Sequence, residues 1–150
     1  MMDELVNQMN KLLADAFTLY LKAHYYHWNV EGSNFPQYHE FLGELYEEIF
    51  GSVDNIAEHI RALNAYAPGT LTRFKELTSI TETISVPSAE AMFLDLFNQN
   101  KQYLGMLMTV YVLADRFNEL GLANFLQDRM AAHKKHEWML RSILKKAENE

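Results

Sequence analysis

The sequence predicts an all-α fold, four long helices joined by short breaks and one long connection that crosses the bundle. Three observations carry this. Apolar residues recur at three-and-four spacing along nearly the whole chain. Gly, Pro, Ser and Asn clusters interrupt that pattern at only a few places. No two alternating stretches exist that could pair into a sheet.

The first helix is expected from about Asp3 to Val30, on a stripe of Leu5, Met9, Leu12, Leu13, Ala16, Phe17, Tyr20 and Leu21. "EGSN" (31–34) breaks it, and Pro36 then fits the first turn of a second helix, where its missing N–H costs nothing. That helix runs to about Leu63, and "NAYAPGT" ends it. Residues 70–87, "TLTRFKELTSITETISVP", read as loop: "FKEL" can form one short helical turn, while "ITETISV" is a lone alternating segment without a partner. Ser88 caps a third helix, with Glu90 in its first turn, running to about Glu119. Gly121 marks the break before a fourth, expected over 122–147. Four long helices with one crossing connection describe a ferritin-like bundle, a single domain over residues 1–150. A plain four-helix bundle with no active site satisfies the same pattern.

Composition narrows the chemistry. The chain has 150 residues and no cysteine, which excludes disulfides, thiolate nucleophiles and zinc–cysteine sites. Any metal must be held by His, Asp and Glu, ligands that suit iron, manganese or zinc. No apolar run is long enough to span a membrane, and the first residues lack the basic-then-apolar pattern of a secretory signal, so a cytoplasmic location is expected. The net charge is −7, concentrated in residues 31–64, where seven acids face Arg61 alone. There is no long basic arm, and only Lys134, Lys135, Arg141, Lys145 and Lys146 offer a local basic cluster, so DNA binding has little support. The eight methionines fall at core spacings and read as packing.

Four residues stand out as metal ligands. His27 ends the first helix and His39 begins the second; Asp54 and Glu58, four apart, project from one face of the second helix. His39 and Asp54 are fifteen positions apart on one helix, about 22 Å at 1.5 Å per residue. One ion with ligand bonds of about 2 Å cannot reach both. The histidines and carboxylates of one chain are therefore two half-sites, which only a second copy across a two-fold axis can join. An intra-bundle di-iron site built on Glu-x-x-His is not expected, because that motif is absent from the chain. Of the remaining histidines, His24 reads as packed or as an extra ligand, His133 and His136 as a solvated face beside Lys134 and Lys135, and His59 has no assigned role.

The stretch "YHWNVEGSNFPQYHEFLGELYEEI…DNIAEHIRAL" (26–63) resembles the signature of the Dps family, the ferritin-like DNA-protection proteins of starved cells. Its His-Trp-Asn, Asn-Phe, His-Glu and Asp-x-x-Ala-Glu elements are in register, and a looser likeness continues through "APGTL" and "EWMLRSIL". The resemblance implies a hollow homododecamer that oxidises ferrous iron, usually with hydrogen peroxide, between two-fold-related subunits and stores the ferric product. It implies His27 and His39 as ligands from one subunit, with Asp54 and Glu58 from its partner; zinc would suit the same set. Trp28 matches the aromatic beside the site, with either core packing or the quenching of radicals as its role. The alternative is a Dps-like shell with weak or absent ferroxidase activity, structural or DNA-associated; a third reading is a helical binding module without metal.

Two departures from the family pattern matter. Gly43 stands one turn after His39, where the family commonly has a carboxylate; Glu44 lies about 100° round the helix and does not replace it. The expected site is therefore asymmetric or mononuclear, strongest at His27 with Asp54 and Glu58. In addition, Leu122-Ala123-Asn124 replaces the usual Thr-Ala-Asp of an iron-entry pore, leaving Asp115, Glu119 and Asp128 nearby to attract cations.

Overall fold

A computed structural model describes residues 2–146 and contains five helices: α1 (Met2–Asn29), α2 (Phe35–Ala62), α3 (Leu71–Leu77), α4 (Ala89–Arg116) and α5 (Leu120–Leu144). The four long ones form the predicted ferritin-like bundle. α1 packs along α2 and α4 along α5, the two pairs join mainly through α1 and α4, and α2 meets α5 only sparsely. The core is the continuous apolar seam between these helices, including Leu12, Leu19, Ile49, Ile56, Phe93 and Leu107.

Pro36 lies in the first turn of α2 as expected, and the Ser88 hydroxyl accepts from the Ala91 N–H at 3.2 Å to cap α4. The segment read as loop contains α3, capped by the Thr70 hydroxyl, which accepts from Arg73 N–H at 3.2 Å. Phe74 of α3 stacks on Phe17 of α1, so a contact distant in sequence holds a helix too short to stand alone.

The break between the last two helices lies earlier than expected. α4 stops at Arg116 and α5 begins at Leu120, so Gly121 sits inside the first turn rather than at the break. Asn118 takes the left-handed conformation at φ 58, and the Glu119 N–H reaches back to the Ala114 carbonyl at 2.9 Å. This is the Schellman ending usually supplied by glycine. Asn64 ends α2 the same way, at φ 64. α5 ends at Leu144, and residue 147, its expected end, lies outside the described residues.

The crossing connection is pinned by buried charge. The Asp15 carboxylate of α1 accepts from the Thr78 hydroxyl (2.7 Å) and from the Ser79 N–H and hydroxyl (2.7 and 2.9 Å). Lys22, also buried, donates to the Thr81 carbonyl and pairs with Asp95 of α4 at 2.7 Å. These bonds tie the connection to α1 and α4, one helix from each pair.

Candidate metal centre

His27 and His39 are brought face to face by the α1–α2 hairpin. Their rings stack 3.8 Å apart at 18°. His27 Nδ1 bonds the backbone carbonyl of His39 at 2.7 Å, and His39 Nδ1 bonds that of His27 at 2.8 Å. A carbonyl oxygen only accepts, so both Nδ1 atoms carry a proton, and the neutral form of each ring has its lone pair on Nε2. No hydrogen bond among the described residues uses either Nε2. The second ring nitrogen of a metal-binding histidine is commonly held this way.

Gly43 belongs to the same geometry. A Cβ there would stand 3.1 Å from His27 Cε1 and 3.3 Å from its Nδ1, so the ring lies almost against the helix backbone. Asp54 and Glu58 are exposed farther along α2, in no ion pair among the described residues. Within one chain the expected histidines and carboxylates thus do not come together.

An aromatic group flanks the histidines. His24 stacks on Tyr46 at 3.8 Å and 6°, lies 4.0 Å from the Trp28 ring, and its Nδ1 bonds the Tyr20 hydroxyl at 3.0 Å. Burial and the neighbouring His27 both lower its pKa, favouring the neutral ring. Trp28 is 59% exposed, which removes core packing as its role in the chain. The His59 ring lies tilted against Phe125, with ring centroids 4.7 Å apart. Of the acids named for iron entry, Asp115 and Asp128 are exposed and Glu119 is half-buried; Asn124 is exposed on α5.

The structure corrects the reading of His133 and His136. They do not form a solvated face: their exposures are 0% and 7%. Leu122, Leu126, Arg129 and Leu140 are buried at the same three-and-four spacing, while Lys134 and Lys135 turn outward. That stripe was the available signal; charged neighbours one residue away say nothing about the opposite side of a helix.

Around this pair lies a cluster from three helices. Arg129 clamps Glu48 of α2 with Nη1 to Oε2 at 2.6 Å and Nη2 to Oε1 at 2.9 Å; its Nη2 also meets His133 Nε2 at 3.1 Å. His136 Nε2 donates to Glu48 Oε1 at 2.7 Å. The Asn100 amide donates to the His133 carbonyl (2.9 Å), so its Oδ1 accepts from His133 Nδ1–H (2.7 Å) and leaves Nε2 with the lone pair. Burial would raise the Glu48 pKa, but the His136 and Arg129 bonds outweigh it and hold the carboxyl well below the usual range. Burial, then His136 and Arg129, push His133 far down, so it is neutral. Glu48, His133 and His136 offer ligand atoms all within 4.8 Å of one another, making them a candidate metal-ligand set inside the bundle.

The comparisons with known proteins agree with the fold. A family model for the ferritin-like domain of ferritins matches residues 6–149. The DNA protection during starvation protein of Brevibacillus brevis is 34% identical over 91% of this chain and 91% of its own length. A low temperature-induced protein of Nostoc sp. is 36% identical over 93% of this chain and 79% of its own length. The crystal structure of a Dps protein from Bacillus brevis superposes with a TM-score of 0.92 at 32% identity, over 96% of this chain and 97% of that one. With its crossover bundle and full-length likeness to these proteins, the chain belongs to the Dps family of the ferritin-like superfamily.

Proposed function

We propose that this chain is a mini-ferritin that binds and oxidises ferrous iron between two-fold-related subunits and stores the ferric product inside a dodecameric shell. His27 and His39 of one subunit face Asp54 and Glu58 of the next. Two ferrous ions, held together or delivered in succession, each give one electron to hydrogen peroxide, whose O–O bond breaks to two hydroxides. Consuming iron and peroxide together limits oxidative damage in the cytoplasm.

The observation that carries this reading is the reciprocal pair of Nδ1–carbonyl bonds. It spends each histidine's Nδ1 proton inside the chain and leaves both Nε2 atoms without a hydrogen-bond partner among the described residues. Asp54 and Glu58, exposed and without an ion-pair partner among the described residues, supply the complementary negative charge. Gly43 favours an asymmetric site, with His27 and the carboxylates holding the tighter ion. Zinc, with the same preference for nitrogen and oxygen, competes for these ligands.

A shell with little ferroxidase activity is the second reading, and Gly43 is the observation that favours it. DNA association is not part of the proposal: Lys134 and Arg141 lie 3.6 and 3.7 Å from Glu137, which offsets part of the only local basic cluster.

The test is ferrous iron and peroxide added to the assembled protein, followed by ferric absorbance. Wild type is expected to develop it, and His27→Ala to slow it by at least about a hundredfold while still assembling, since a ligand matters at least as much as the outer contacts worth 10–100-fold. Equal rates in the two proteins would overturn the proposal; an inactive wild type would favour the second reading.

A further inference from the structure

We propose that Glu48, His133 and His136 form a divalent-cation site inside each bundle, separate from the intersubunit site, and that Arg129 guards it by holding the cation position when the metal is absent.

The geometry is that of a ligand set closed around a positive group. Arg129 Nη2 lies 2.9 Å from Glu48 Oε1 and 3.1 Å from His133 Nε2, and His136 Nε2 is 2.7 Å from the same carboxylate oxygen. In tetrahedral coordination with bonds of about 2.1 Å, ligand atoms stand roughly 3.4 Å apart. The three groups here are all within 4.8 Å of one another, so small side-chain adjustments bring them onto one ion. Two imidazoles and one carboxylate with a fourth position open is a donor set that zinc favours.

His133 is already prepared as a ligand. Asn100 holds its Nδ1–H, and Asn100 is itself fixed by the His133 carbonyl, so the Nε2 lone pair has one direction to point. His136 needs a single change: its Nε2, which now faces Glu48, must present the lone pair, with the ring proton on Nδ1.

Two buried polar atoms show that the guanidinium does not complete the site. Arg129 Nε and the Tyr103 hydroxyl are both enclosed without a hydrogen-bond partner. The Tyr103 ring stacks on His133 at 4.6 Å and 10°, so its orphaned phenol belongs to the same cluster. An arginine lacking one of its bonds is easier to displace than one fully satisfied. A route exists as well: a cavity of about 310 Å³ opens beside the cluster, lined by Glu44, Glu48 and His136 among others. Glu44 places a second carboxylate on the path of an entering cation.

Binding sets a divalent ion against Glu48 in place of the singly charged guanidinium, with His133 and His136 as nitrogen donors, while Arg129 turns away. The intersubunit site contributes no residue to this one. Its loss therefore leaves the interior site intact, which separates the fate of the two proposals.

The experiment is zinc binding by equilibrium dialysis to chelator-stripped, full-length protein, with zinc-edge anomalous diffraction from soaked crystals. His27→Ala/His39→Ala is expected to retain one zinc per chain, with an anomalous peak between Glu48, His133 and His136 and with Arg129 displaced. His133→Gln/His136→Gln should lose that ion. Arg129→Gln should bind zinc at least about tenfold more tightly, because a resident competitor is gone. The inference is overturned if the wild-type map shows no interior peak and the His27/His39 variant binds no zinc, even where Arg129→Gln does; the guanidinium would then be a permanent occupant. If the His133/His136 variant fails to fold, the wild-type anomalous map decides alone.

Discussion

His27 and His39 stand at one end of the α1–α2 hairpin with both Nε2 atoms free, whereas His133 and His136 lie between α2, α4 and α5 with their Nε2 atoms already bonded. Both pairs have ring nitrogens oriented by neighbours, but with opposite outcomes. The first spends its Nδ1 protons on backbone and leaves its Nε2 atoms without a partner among the described residues. The second meets a carboxylate and a guanidinium of the same chain. An open pair should depend on assembly, and an enclosed pair on the stability of one subunit.

The largest expected effect tests the first half of that contrast. His27→Ala and Asp54→Ala should each be inactive alone, yet co-assembled subunits should recover about a quarter of wild-type oxidation, because random pairing makes about half the dimers mixed and each mixed dimer holds one intact site of two. Initial ferric absorbance rates on the co-refolded mixture measure it. No recovery in a mixture shown to contain hetero-oligomers would mean that His27 and Asp54 do not complete one site across subunits, and would break the comparison.

The second half predicts a stability effect. Glu48→Gln leaves Arg129 buried without its counter-charge, and loss of one partner of a buried pair costs 3–5 kcal/mol. The Glu48 side chain is 38% exposed, so solvent reduces the expected loss to about 1–3 kcal/mol. Thermal melts of chelator-treated protein should show a fall in Tm of about 3–10 °C, while His27→Ala changes Tm little. The acid limb follows from the same group. Its folded pKa lies below the ordinary 4.5, so its contribution is present above that pH and drains away as the pH falls below it. Wild type should therefore lose Tm more steeply than Glu48→Gln below about pH 4.5. Parallel acid limbs would show that Glu48 is not the group that responds.

The contrast also separates what the sequence discloses from what it conceals. The four long helices were legible because each keeps one apolar stripe for many turns, and caps such as Ser88 sit next to the elements they start. α3 was legible only as a possible short helical turn at "FKEL", because seven residues carry too few turns for a period and Phe74 is held by Phe17, far away in sequence. The end of α4 was misplaced because Asn118 does the work that Gly121 advertised. His27, His39, Asp54 and Glu58 were legible as ligand types with incompatible spacing. The interior cluster was not, since Glu48 and His136 are brought together only by packing α2 against α5. The open Nε2 atoms were equally hidden, as each depends on a backbone carbonyl from the opposite helix.

Gly43 gives the finest test, where the two expectations pull apart. Glycine inside a helix costs roughly 0.5–1 kcal/mol against alanine, so Gly43→Ala should stabilise α2 on propensity alone. Its Cβ, however, would press on His27 at 3.1 Å from Cε1 and 3.3 Å from Nδ1. The ring must shift by a few tenths of an ångström, loosening the 2.7 Å bond to the His39 carbonyl that aims Nε2. Stability should move by less than about 1 kcal/mol, since propensity gain and steric cost oppose each other. Oxidation should slow about three- to tenfold, because ligand geometry tolerates less displacement than packing does. Ferrous titration of wild type alongside should show one tight ion per site, the consequence of a glycine where a carboxylate would complete a second position. Two equally tight ions, or an alanine variant as fast as wild type, would mean that the space beside His27 is incidental to how the histidines are aimed.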